Sequence, residues 1–398
     1  MKVAHLINLS GFGGVEKRFS MFIENSHFDN TIICCSNKID DKISNLFHDK
    51  KIIFANRVLN NFDVKYPTAL RKKVLVSKIN KLQPDVLVIW DFMPRIDLSK
   101  IKCKKIYYDC GCGWRYPKNT KTEDFFKNID SVISNSNASK RIIQLRYNFN
   151  KDIKVVLNKL NMPISPEPRN KPDAGIVLGT ASRLVGIKGI GISILTVKEL
   201  LDNGVNAFLI IAGDGDNREE LERLTESLSL QNNIMFIGYQ SDLTDFYEEI
   251  DIYLSTPVTE AFGLSCIEAM SHGIPVIYPF IDGQPEAIKN GYSGIAIKPT
   301  LLPDEYKEKT KITIDFPYDV YNPTDDKLTS IKLISPSDCR VAIQHVVNNY
   351  HELSQNALTW SKNTMDFPFF INEFESAIAN SVMKENSEPL QQLTIHNI

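Results

Sequence analysis

The chain has 398 residues, 43% of them hydrophobic and 10% aromatic, enough for two cores of ordinary domain size. A net charge of −2 hides an uneven spread: residues 1–165 carry 29 Lys and Arg against 15 Asp and Glu, and residues 166–398 carry 17 against 33. No apolar run reaches the length of about eighteen residues that spans a bilayer, and the seven cysteines, an odd number in mostly apolar surroundings, argue against a disulfide framework. Cys110-Gly-Cys112 lacks the two-residue spacer and second ligand pair of a zinc site, so no metal is expected. The first ten residues are too strand-like for a secretory signal, which predicts a cytoplasmic protein.

Lys2 to Asn8 reads as a first strand, ended by the turn Ser10-Gly-Phe-Gly-Gly14 and followed by a helix from Val15 to Asn25. Further strands are predicted at Thr31–Cys35, Lys51–Ala55, Val86–Trp90, Lys105–Tyr108 and Ser131–Ser134, with helical stretches between several of them. One such stretch, Tyr66 to Leu82, is basic with apolar residues at Leu70, Val74, Ile79 and Leu82. It reads either as a helix covering the first sheet or as one resting on an anionic membrane. At Asn161 to Pro172 four prolines crowd a polar segment, the mark of a linker. Alternation restarts with strands at Gly175–Thr180, Ala207–Ala212, Ile234–Ile237, near Ile252 and at Pro275–Tyr278, and with helices at Gly189–Asn203 and Arg218–Ser229. Leu301 to Cys339 reads as an insertion, helical only in part. Val341–Tyr350 and Asn356–Lys384 look helical again, the latter interrupted at Pro368, and the tail from residue 385 to 398 is expected to fray. Strand and helix in alternation predict an α/β fold of two doubly wound domains, residues 1–165 and 173–359, each a parallel sheet covered on both faces.

Glu260-Ala-Phe-Gly-Leu-Ser-Cys-Ile-Glu268 places two carboxylates around a glycine turn that opens a helix. The backbone N–H groups of Gly263, Leu264 and Ser265 would then be unpaired donors suited to a phosphate. Glu268, one turn inside, could accept two ribose hydroxyls, and Glu260 lies toward the sugar end. Arg183 and Lys188 follow the first strand of the second domain, at the carboxyl edge where ligands bind, and could neutralise a diphosphate. The stretch Gly213 to Arg218 lacks the third glycine of a dinucleotide fingerprint, which disfavours hydride transfer. His5, His272 and His345 read as packing or surface residues.

Together, Ser10-Gly-Phe-Gly-Gly-Val-Glu-Lys-Arg18, Ser182-Arg-Leu-Val-Gly-Ile-Lys-Gly189, Ile211-Ala-Gly-Asp-Gly215, Glu260 to Glu268 and Pro285-Glu286 resemble a retaining nucleotide-sugar glycosyltransferase of the GT-B fold, glycosyltransferase family 4. The resemblance is close from about Ala174 to Pro299 and loose in the first domain. It implies a UDP- or GDP-sugar donor held without metal or other cofactor: Arg183 and Lys188 on the diphosphate, Glu268 on the ribose, and Glu260 facing the sugar. Phe262, Gly263 and Leu264 would offer their amides around the sugar and distal phosphate, backbone near Gly238 and Tyr239 would hold the base, and Gly13 and Gly14 would bring first-domain backbone to the phosphate. It also implies a last helix, Trp360 to Met383, returning to the first domain. Where many family members carry a sugar-contacting histidine, this chain has Asp109 or Cys110. Asp109 is either a turn former or a stand-in for that contact, and Trp114 and Arg115 are candidate acceptor contacts. The implied partners are a nucleotide sugar and a glycan or lipid-linked acceptor, with peripheral contact to anionic membrane through the basic first domain and no nucleic acid. A role in polysaccharide or lipopolysaccharide assembly follows. A nucleotide-sugar epimerase, a phosphorylase or a non-catalytic sugar-nucleotide binder on the same fold are the rival readings.

Overall fold

The structure, a computed structural model, describes residues 1–383 other than Phe12, His48, Cys112 and Ala174, with backbone alone for Lys42 and Trp114. The predicted tail 385–398 lies outside the described residues. By internal contacts the chain forms two units, one of residues 1–134, 149–156 and 368–398, the other of residues 135–148 and 157–367. The segments 135–148 and 157–172 therefore group with the second unit, and the crossing is not confined to the proline-rich stretch.

The first unit is built on seven strands: β1 (Lys2–Ile7), β2 (Asp29–Cys34), β3 (Ile52–Phe54), β4 (Val86–Trp90), β5 (Lys104–Asp109), β6 (Ser131–Ser134) and β7 (Ile153–Val155). They pair in parallel in the order β3-β2-β1-β4-β5-β6-β7. All five residues of β4, Val-Leu-Val-Ile-Trp, are buried, as expected of a strand covered on both faces. Behind it an aromatic cluster joins Phe22, Trp90 and Tyr108 to Phe374, whose ring lies 4.9 Å from Phe22 and 4.7 Å from Tyr108. Phe374 belongs to the last described helix, Phe367–Met383, so that helix does return to the first unit. Glu375 fastens it further, accepting from Ser26 Oγ and His27 N at 2.7 Å each. The helix starts at Phe367, not Trp360: Trp360 ends the preceding helix Tyr350–Lys362 and donates to Ala287 O in the second unit. Pro368 falls in the first turn, where its missing N–H is not needed, so it opens the helix where an interruption was expected.

The second unit carries β8 (Ile176–Ala181), β9 (Ala207–Ala212), β10 (Ile234–Gly238), β11 (Ile252–Leu254), β12 (Val276–Pro279) and β13 (Gly294–Ile297), parallel in the order β10-β9-β8-β11-β12-β13. The order reverses between β8 and β11, the place where doubly wound sheets bind ligands at their carboxyl ends. The segment 301–339 contains the helix Pro303–Thr310, a hairpin of β14 (Val320–Asn322) and β15 (Lys327–Thr329), and the first turn of the helix Pro336–Asn348. Strands β7 and β13 escaped the sequence reading because each is only three or four residues long. Among the described residues no helix is long and apolar enough to cross a membrane.

Candidate functional site

The loop after β8 is locked to the loop after β11. Val258 N donates to Ile187 O at 2.9 Å, and Thr256 Oγ1 donates to Gly189 O at 3.0 Å. Gly189 takes φ +62, and a Cβ there would stand 2.1 Å from Thr256 O, so the two loops can touch only through a residue without one. The docking sets Lys188 Nζ 2.6 Å from Glu260 Oε2, joining residues 72 apart in sequence. Both side chains are about one-fifth exposed, 21% and 22%. Arg183, on the same loop, is exposed and has no ion pair among the described residues.

Glu260 is held from below by a carboxylate that sequence reasoning missed. Asp282, 1% exposed, accepts from Glu260 N at 3.0 Å and Thr259 Oγ1 at 2.7 Å on one oxygen, and from Tyr321 N at 2.7 Å on the other. It thereby ties the 320–329 hairpin to the Glu260 loop. Burial pushes its carboxyl from 3.8 up to about 7, against the pull of these three bonds and helped by the nearby Glu260 charge. The folded chain therefore keeps a proton that the unfolded chain releases between those values. The stability this contributes is full below 3.8 and is lost as pH rises through about 7. Thermal unfolding from about pH 5 to about pH 8 is expected to show that decline, and Asp282→Asn to flatten it. An unchanged slope in the variant would place the titration elsewhere.

The helix Leu264–Ser271 opens on Gly263 at φ +92, which turns the chain so that the first-turn N–H groups face out of the helix end. Phe262 is buried at 2% exposure and anchors that turn in the core, while Leu264 is half-buried. Glu268 lies one turn further and is oriented by Tyr247, whose hydroxyl donates to Oε2 at 3.1 Å. Tyr247 is stacked on His272 at 4.9 Å, which gives that histidine the packing role expected of it. At the end of β10, Gly238 takes φ +70 and its carbonyl accepts from Gly213 N at 2.7 Å, with Tyr239 beside it 49% exposed. Arg183, Lys188, Gly238, Tyr239, Glu260, Gly263 and Glu268 thus all stand on strand ends, loops or the first two helical turns at the carboxyl ends of one sheet.

Residues 161–315 match the family described as glycosyl transferases group 1. An uncharacterized glycosyltransferase of Methanocaldococcus jannaschii is 29% identical over 260 residues, 58% of this chain and 66% of its own. The lipopolysaccharide core biosynthesis glycosyltransferase LpsE of Rhizobium meliloti is 24% identical over 54% of this chain and 61% of its own. The chain spans less than two thirds of the length of such curated relatives, 66%, 40% or 30% in the stronger matches. Among solved structures, Anabaena HepE in complex with UDP superposes with a TM-score of 0.70 at 16% identity, covering 96% of this chain and 100% of that one. The fold is GT-B.

In the first GT-B unit, Gly13 precedes the helix Gly14–Asn25, and Lys17 N donates to its carbonyl at 3.0 Å. Nothing lies within 4 Å of where a Cβ on Gly14 would stand. Asp109 is fully buried, accepting from Tyr107 Oη at 2.9 Å and from Gly113 N at 2.6 Å. A carboxylate so committed shapes the β5 loop. Burial holds the Cys110 thiol protonated, its pKa raised well above the ordinary value, so it supplies no nucleophile. Trp114 and Arg115 follow in the short turn Gly113–Arg115. Arg115 lines a cavity of about 1120 Å³ together with Asp91, Phe92, Arg95 and Phe125, and its Nε is buried with no hydrogen-bond partner among the described residues. Of Pro285-Glu286, the carboxylate caps the helix Asn137–Tyr147, accepting from Asn137 N at 2.7 Å and Ala138 N at 2.8 Å. Nothing in its immediate sequence pointed to that partner, 149 residues away.

Proposed function

We propose that this chain transfers a sugar from a nucleoside-diphosphate sugar to a glycan or lipid-linked acceptor, with retention and without a metal ion, in the assembly of a cell-surface polysaccharide or lipopolysaccharide. The observation that carries the proposal is the Lys188–Glu260 pair, set beside the outward N–H groups of the 264–271 helix at the switch point of the second sheet. As the bond from the sugar's C1 to the diphosphate breaks, negative charge grows on the leaving group. Lys188, Arg183 and that helix end are donors for it, electrostatic stabilisation aimed at the place where the charge develops. Diphosphate would draw Lys188 away from Glu260 and leave the carboxylate for the developing positive charge at C1. Glu268, held by Tyr247, takes the ribose hydroxyls.

The names of relatives support the pathway class, since LpsE acts in lipopolysaccharide core biosynthesis, and HepE binds UDP. The test is thermal unfolding with UDP, GDP, ADP and CMP, alongside Glu268→Ala. UDP at about a hundred times its Kd is expected to add about 2.7 kcal/mol, which raises Tm by about 5–10 °C, and the variant to lose most of that shift. No shift with any nucleoside diphosphate would sink the reading. Release of epimerised donor in the absence of acceptor would replace it with an epimerase.

A further inference from the structure

The helix Thr68–Leu82, read either as covering the first sheet or as resting on membrane, has Leu75 and Ile79 buried inside the first unit, which supports the first reading, while Leu70 at its start is exposed. The segment just before it behaves differently. Arg57 and Lys65 form an antiparallel bridge, Val58 N donates to Val64 O at 2.7 Å, and Phe62 N donates to Leu59 O at 3.2 Å, so residues 57–65 make a closed hairpin. Its base is fastened to the unit. Arg57 Nε donates to Asn37 O at 3.1 Å, Lys78 Nζ to Arg57 O at 2.7 Å and to Phe54 O at 2.8 Å, and Asn60 Nδ2 to Ile52 O at 2.6 Å.

On this fixed projection Val58, Leu59, Phe62 and Val64 are 41%, 60%, 61% and 59% exposed. One exposed apolar side chain needs no explanation, but four within seven residues on an anchored hairpin form a patch that marks a contact surface. Leu70, 48% exposed, stands in the first turn of the helix that follows. The surrounding charge is mostly positive: Lys65, Lys72 and Lys73 are exposed, against one acid from residue 57 to 73, Asp63, which accepts from Asn37 Nδ2. Lysine is depleted in the cores of protein interfaces, whereas apolar tips ringed by lysine suit a surface of anionic headgroups over hydrocarbon.

We infer that the 58–64 hairpin docks this protein on an anionic bilayer, with Leu59, Phe62 and Val64 entering the acyl boundary and Lys65, Lys72 and Lys73 facing lipid phosphates. A cavity of about 470 Å³ lined by Asn56, Thr68, Arg71 and Lys72 opens at the foot of the hairpin. If the transferase reading holds, a lipid-linked acceptor would meet the first unit there, at the level of the membrane surface. The docking itself does not depend on that reading.

The experiment is co-sedimentation of the full chain with vesicles of phosphatidylcholine alone and of phosphatidylcholine with phosphatidylglycerol. Binding is expected to the anionic vesicles only and to weaken as salt is added. Leu59→Ser with Phe62→Ser is expected to lower the partition coefficient about tenfold or more, and Lys72→Gln with Lys73→Gln about tenfold. The UDP-induced thermal shift, read on the same samples, should be unchanged in both variants. Failure of the wild-type chain to bind anionic vesicles, equal binding to neutral ones, or full binding after the Leu59 and Phe62 replacements would each overturn the inference. If the wild-type chain instead self-associates in solution and the Leu59 and Phe62 replacements abolish that, the patch belongs to a second copy. No vesicle binding by the wild-type chain beside an intact UDP shift would refute the docking and leave the transferase reading standing.

Discussion

Glu260→Gln is expected to lower turnover of sugar transfer by about 10²–10³-fold while changing UDP affinity by no more than about threefold. Glutamine keeps the shape of the side chain, and the backbone bond from residue 260 to Asp282 is untouched, so the loop should stay in place. What is lost is a negative charge 2.6 Å from Lys188. In the unliganded chain that charge competes with phosphate for Lys188, so its removal should tighten UDP binding slightly. Lys188→Met should act in the opposite sense on affinity. It removes a charge-assisted contact worth about 1.5–3 kcal/mol, roughly tenfold to a hundredfold in Kd. The pair can be separated by a double-mutant cycle on UDP affinity from titration calorimetry and on turnover from product formation. Coupling should appear in both, because each side chain sets the state of the other. Should Glu260→Gln weaken UDP as much as it slows transfer, Glu260 belongs to the nucleotide site and not to the sugar.

The sequence made the sheets legible where strands were long and apolar. Val86–Trp90 and Ala207–Ala212 are strands with the predicted ends, because near-complete burial leaves an uninterrupted apolar run between turn residues, and the shorter Ser131–Ser134 has its predicted ends as well. It also made Lys188, Glu260 and Glu268 legible as candidates, since charged residues beside glycine turns at strand ends are rare enough to single out. Their pairing was not legible. The Lys188–Glu260 contact depends on Gly189 lying against Thr256, a distance relation between loops with no local signature. Asp282 was missed for a related reason: an Asp before Gly reads as an ordinary turn, and only the fold brings Thr259, Glu260 and Tyr321 around its carboxylate. Of the four apolar positions that defined the spacing in Tyr66–Leu82, Ile79 is buried and Leu70 is exposed, because periodicity reports that a face is apolar and not what covers it.

Gly189→Ala is expected to be among the most damaging single methyl additions in the second unit. The residue sits at φ +62, where a Cβ costs about 1–2 kcal/mol from its own backbone. The added carbon would also start 2.1 Å from Thr256 O, a backbone atom with no rotamer to yield. Relief requires the 182–189 loop to lift from the 255–260 loop, which breaks the bonds of Thr256 Oγ1 to Gly189 O and of Val258 N to Ile187 O. Overpacking of this kind costs about 1–3 kcal/mol, so the combined loss is about 2–5 kcal/mol, a fall in Tm of roughly 5–15 °C for a unit of this size. The functional loss should exceed what stability explains. A lift of about 1 Å would stretch the Lys188–Glu260 contact past hydrogen-bond length, and misplacement on that scale costs on the order of a hundredfold in rate. Measured well below its melting temperature, the variant should therefore remain folded by circular dichroism yet bind UDP weakly and transfer sugar poorly. Gly204→Ala is the control: that glycine also has positive φ, +74, but nothing lies within 4 Å of its Cβ position, so it carries the backbone strain without the collision. A Gly189→Ala variant no worse than Gly204→Ala in stability and UDP affinity would mean that the two loops are not docked as described, and that Lys188 reaches Glu260 by its own flexibility.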